Sequence, residues 1–100
     1  FSFDLRNIYQ NNIKGGFFLP KSVVKLKMQY NDLTLDDMKE ILQNSKDITF
    51  LNISGNPLGP NLTADIFAGF DRIVYLELSE SGLKRIESGA FQAMKKIVKL

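Results

Sequence analysis

Apolar residues recur along this chain in a fixed pattern. Val23, Leu26, Met28, Asn31 and Leu33 are followed by Ile48, Leu51, Ile53, Asn56 and Leu58, and then by Ile73, Leu76, Leu78, Ser81 and Leu83, each set 25 residues after the last. Every set has the spacing L-x-x-L-x-L-x-x-N-x-L. Its central L-x-L is period-two alternation, which puts both apolar side chains on one face of a short strand. Leu26 with Met28, Leu51 with Ile53, and Leu76 with Leu78 are therefore expected to point inward. One such strand cannot bury its apolar face alone. Copies laid side by side in a parallel sheet can. The asparagine after the strand is expected to hydrogen-bond backbone groups where the chain turns away, since those amides leave the sheet ladder. Ser81 can do part of this with a shorter reach.

The segments that return from one strand to the next differ in character. Residues 34–44 read as helical: Thr34 and Asp37 stand at capping-box spacing, and Leu35, Met38 and Leu42 fall on one helical face. Asp36 and Asp37 suit the start of that helix, where the dipole favours negative charge. The second return, from Gly59 to Arg72, opens with Pro60 and carries Ile66, Phe67 and Phe70. The third, from Ile86 to Lys96, places Phe91 and Met94 three residues apart. These aromatics are expected to fill the space between units. A fourth set begins at Ile97 and Leu100, 24 residues after Ile73. At the other end Phe3, Ile8, Asn11 and Ile13 fit the frame, with Arg6 in an apolar place and a spacing of only 20 residues to Val23. The units so drawn are 1–22, 23–47, 48–72, 73–96 and the incomplete 97–100. Gly15-Gly16-Phe17-Phe18-Leu19-Pro20 would close the first, Pro20 holding the residue before it extended.

Three matches in register resemble the leucine-rich repeat family, and the resemblance covers nearly the whole chain. It implies an α/β fold, a leucine-rich-repeat solenoid with a parallel concave sheet and mixed helical and irregular convex returns. The third unit, with Leu83, Ile86 and Phe91, is similar to the common extracellular repeat, as in ectodomains of the Toll-like receptor type. The family's extracellular members close with cysteine-rich caps, so the resemblance implies an internal segment of a longer ectodomain, or ends covered by another chain.

Composition narrows the function more than the fold. The hydrophobic share is 44%, the charged share 24% and the formal net charge +2, with no histidine and no cysteine. Disulfides and thiolate zinc sites are excluded within these residues. Lysines and arginines are scattered among acids and form no basic stripe, so no nucleic-acid partner is expected. No apolar run approaches the roughly 20 residues of a spanning helix, and no membrane contact is expected of this segment. With no histidine base, no cysteine nucleophile and no calcium or phosphate loop, neither an enzyme nor a cofactor or metal site is expected.

What remains is recognition, carried in this family by the outward residues of the strands. The candidate ligand contacts are Lys25, Lys27 and Tyr30 in one unit, Phe50 in the next, and Tyr75 and Glu77 in the third. One column, Lys25, Phe50, Tyr75 and Lys99, sets two aromatics between two cations. The next, Lys27, Asn52 and Glu77, is mixed in charge and suits a polar protein surface. Phe50 and Tyr75 are also good strand formers, and that role alone accounts for them equally well. Two sequons, Asn52-Ile53-Ser54 and Asn61-Leu62-Thr63, are candidate glycosylation sites. A glycan on Asn52 would crowd Phe50, so those two roles exclude each other. The resemblance implies an extracellular recognition segment binding a protein ligand or co-receptor, with dimerisation a further expectation. The alternatives are a cytoplasmic scaffold of the ribonuclease-inhibitor type, or a structural spacer in a larger protein.

Overall fold

The computed structural model describes the backbone of residues 2–4, 23–91 and 97–99 and the side chains of residues 23–91 and 99. The fold is α/β, with parallel strands and, among the described residues, one helix. Strands β1 (Ser2–Asp4), β2 (Lys25–Lys27), β3 (Phe50–Asn52), β5 (Tyr75–Glu77) and β7 (Ile97–Lys99) form a five-stranded sheet in that order. Every pairing in it is parallel. Parallel neighbours need a long crossover, and each return between them supplies one. Leu26, Leu51 and Leu76 stand on one rung, with Lys25, Phe50 and Tyr75 one residue before them. The three L-x-L pairs are buried, none above 2% exposed. The ladder extends past the strands as drawn, with Thr49 N on Val24 O at 2.8 Å and Gly55 N on Ser79 O at 2.9 Å.

Helix α1 (Leu35–Leu42) begins where the capping box predicts. Thr34 is extended, its hydroxyl accepts from Asp37 N at 3.3 Å, and Asp37 Oδ2 accepts from Thr34 N at 3.0 Å. Met38, Ile41 and Leu42 are the buried face. Leu35, expected with them, is only half-buried, and Ile41 takes the place the spacing gave it.

The second return forms no helix. Pro57 and Pro60 lack amide donors and fix φ in its first stretch. Two residues, β4 (Asn61–Leu62), instead pair in parallel with β6 (Arg85–Ile86), a second small sheet that the apolar pattern did not announce. Beyond β4 the chain turns irregularly, and Ile66, Phe67 and Phe70 supply the apolar volume that α1 supplies in the unit before. Phe67 meets Phe70 edge to face at 6.3 Å and lies at the same distance from Phe91.

Both terminal alignments are corrected by the register. Phe3 pairs with Leu26, so the first strand leads the second by 23 residues and Arg6 does not fill the apolar place. Ile97 pairs with Tyr75 and Lys99 with Glu77, so the last strand is two residues out of the expected alignment. Val98 and Leu100, two apart, are the L-x-L pair in sequence; reading Ile97 and Leu100 as the first and fourth places missed it. The columns across the sheet are therefore Ser2, Lys25, Phe50, Tyr75, Ile97 and Asp4, Lys27, Asn52, Glu77, Lys99. The segment Gly15–Pro20 and Met94 lie outside the described residues.

The turns behind the sheet carry the asparagines. Asn31 and Asn56 are fully buried. Asn56 Oδ1 accepts from Asn31 N and Leu33 N of the preceding unit, both at 3.0 Å. Its Nδ2 donates back to Met28 O at 3.0 Å and to Ile53 O at 2.9 Å. One amide thus closes its own turn and holds the previous one. Gly59 is needed just beyond, because a Cβ there would stand 1.9 Å from the carbonyl oxygen of Gly82.

Candidate recognition face

The outer face of the sheet collects five of the six candidate contacts. Lys25, Phe50 and Tyr75 are adjacent in one column, and Lys27 and Glu77 lie in the next with Asn52 between them. All of these but Asn52 are partly exposed. The rings of Phe50 and Tyr75 stack at 4.6 Å with 6° between their planes. The Lys25 ammonium lies over the other side of Phe50, 4.7 Å from its centroid. The expected cation at the far end of this column is absent from it, since Lys99 stands beside Glu77 and Ile97 occupies the place next to Tyr75.

Glu77 fixes the polar side of the stack. Its Oε1 accepts from the Tyr75 hydroxyl, and its Oε2 from the Ser54 hydroxyl at 3.2 Å. The Ser54 oxygen in turn accepts from Ser79 N at 2.9 Å. The hydrogen bond to Glu77, with some desolvation and the carboxylate charge behind it, holds the Tyr75 hydroxyl above the ordinary tyrosine range. The aromatic pair is therefore pre-positioned, with a cation on one side and a carboxylate on the other. Binding at such a pair loses little side-chain freedom.

Tyr30 belongs to a different place. It sits in the turn after β2, with a left-handed φ of 59°. Gly55 and Glu80 hold the equivalent places in the next two units, and both also have positive φ. The Tyr30 ring lies across Gly55, where a Cβ would come within 2.2 Å of it. Its hydroxyl approaches Glu80 Oε1 at 3.4 Å. The charge of Glu80 is the main cause that raises the Tyr30 pKa, with smaller effects from desolvation, their hydrogen bond and Glu77. So Tyr30 forms the rim of the face, together with Asp32 and Glu80, which the sequence reading passed over. The signal was present: Tyr30 and Glu80 are 50 residues apart, two whole repeats.

The two sequons differ. Asn61 is exposed at the start of β4, in a short strand where a loop was expected. Asn52 does not project as an outward strand residue should. It is only 8% exposed, and its Oδ1 accepts from Ser54 N at 3.1 Å.

No protein-family model, curated protein or solved structure matches the chain. Among the described residues no three His, Cys, Asp or Glu side chains gather as a metal set, and no helix is long and apolar enough to cross a membrane.

Proposed function

We propose that this chain is a leucine-rich-repeat segment of a recognition protein, a solenoid whose concave sheet binds a protein ligand and whose chemistry is binding alone. The observation that carries this is the in-register rung of Leu26, Leu51 and Leu76 spaced 25 residues apart, with the stacked Phe50–Tyr75 pair displayed one residue earlier. A repeat that stacks this way turns each strand into one rung of an extended surface. The pair at its centre has the large, rigid aromatic character of interface hot spots. Asn61 supports an extracellular setting as an exposed sequon in the ectodomain of an immune or adhesion receptor, where it carries a glycan. Asn52 does not, because a glycan there would have to displace a buried side chain.

The test of the face is the double variant Phe50→Ala, Tyr75→Ala against a protein ligand of the full receptor. A loss of about 2 kcal/mol or more is expected, and a loss of a few tenths would remove the face from the interface. The test of the setting is the mass of the secreted protein before and after removal of N-linked glycans, with Asn61→Gln abolishing the shift. A mass unchanged by that treatment would place the chain in the cytoplasmic class.

A further inference from the structure

The outer face changes character along the strand direction. At the strand starts it is apolar: Val24 and Val74 are exposed at 39% and 50%, beside the half-buried Phe50–Tyr75 stack. At the strand ends it is acidic. Tyr30, Asp32 and Glu80 are exposed there, and a groove of about 370 Å³ runs between Asp32 and Glu80 past Gly55, Gly59 and Gly82. The charged residues lining that groove are both acids. Lys25 and Lys27 lie between the two ends on β2, and Lys99 stands next to Glu77, so cations border the middle of the face and leave the rim acidic.

We propose that this face takes an amphipathic helix of a partner protein, with its apolar stripe on Val24, Phe50, Tyr75 and Val74 and a lysine or arginine from its flank in the groove between Asp32 and Glu80. The proposal rests on the reading of the sheet as a recognition face and names what that face selects. Three arguments support it. Tyr75 and Glu80 are five residues apart, about 16 Å at strand rise. A helix is roughly 10–12 Å across with its side chains, so it covers the apolar end while one long basic side chain reaches the rim. Covering two carboxylates without bringing a cation would leave buried charge uncompensated. Turning the helix end for end across the face would set its basic flank against Lys25 and Lys27, and like charges at an interface oppose that orientation. Tyr30 adds an aromatic ring beside the site, a surface on which a guanidinium or ammonium packs well.

Two synthetic helical peptides test this, sharing one leucine stripe and differing only in whether arginine or glutamate flanks it. Each is titrated into isotope-labelled protein and followed by amide shifts. The arginine peptide is expected to bind about tenfold more tightly. Asp32→Asn with Glu80→Gln should erase that preference, and asparagine tolerates the left-handed backbone at position 32. Phe50→Ala should weaken both peptides. Equal binding of the two peptides, or a preference that survives the neutralised rim, overturns the basic partner while the face stands if Phe50→Ala still weakens both. If Phe50→Ala alters neither, the recognition reading falls as well.

Discussion

The turn at Asn56 and the turn at Ser81 occupy the same place in successive units and do different amounts of structural work. Asn56 takes two amides from the unit before and gives its own amide hydrogens to carbonyls on both sides. Ser81 is buried to the same degree, yet its hydroxyl donates only to Ser79 O, at 3.3 Å. The neighbouring amide it would otherwise serve, Leu58 N, bonds Asn56 O within its own turn at 2.8 Å. Contact between these units falls to the backbone, through Gly59 N on Ser81 O at 3.0 Å and the close approach of Gly59 to Gly82. A side chain with both donor and acceptor ties two turns together. A hydroxyl on a shorter stem closes one, and glycine contact makes up the rest.

The largest effect should come from Asn56→Ala. It strands the buried amides of Asn31 and Leu33 and two carbonyls, and an unmet buried group costs roughly 1–3 kcal/mol. A loss of about 4 kcal/mol is expected in the denaturant midpoint, enough to unfold a marginal domain. A loss under about 1 kcal/mol would mean that water satisfies these groups and that the asparagine is not the tie. Gly59→Ala should follow, at about 2 kcal/mol, because the added carbon meets backbone that cannot swing aside. If that variant were neutral, the two turns would be held by something other than the Gly59–Gly82 contact.

The same residues show how far the sequence could be read. The period of the apolar positions was legible because burial imposes it. A strand shifted by one residue turns its apolar set outward, so Leu26, Leu51 and Leu76 had to share a rung. The capping box was legible because its chemistry is local. At Phe3 and Ile97 the alignments failed, and both failures came from trusting a regular repeat length where the returns are shorter. The β4–β6 pair was missed because two-residue strands leave no periodicity to detect. Of the face, the columns were legible and the side-chain partners were not. Nothing in spacing says that Tyr75 gives its hydroxyl to Glu77, or that Asn52 folds its amide back onto Ser54. Tyr30 was placed on the wrong part of the surface because a left-handed backbone after β2 turns it out of the strand, and only the recurrence of Gly55 and Glu80 hints at that.

Two smaller changes at position 81 sharpen the contrast between the turns. Ser81→Asn should stabilise the protein by about 1 kcal/mol, by letting an amide oxygen reach Asn56 N and Leu58 N as Asn56 reaches Asn31 N and Leu33 N. The gain is smaller than the loss at Asn56, because Leu58 N gives up the bond it already has. An unchanged midpoint would show that the turn at Ser81 has settled into a geometry the longer side chain cannot use.

Ser81→Ala should move the midpoint least, by about 0.5 kcal/mol. The hydroxyl makes one long bond to a carbonyl within its own turn, and a typical neutral hydrogen bond is worth about 1 kcal/mol net. The methyl of alanine fits a space already closed around a side chain of nearly the same size, so no cavity opens. Its value lies in the ratio to Asn56→Ala. If a serine hydroxyl at this place cost as much to remove as the asparagine amide, the bond between units would not depend on reach, and the asymmetry drawn between the two turns would be wrong.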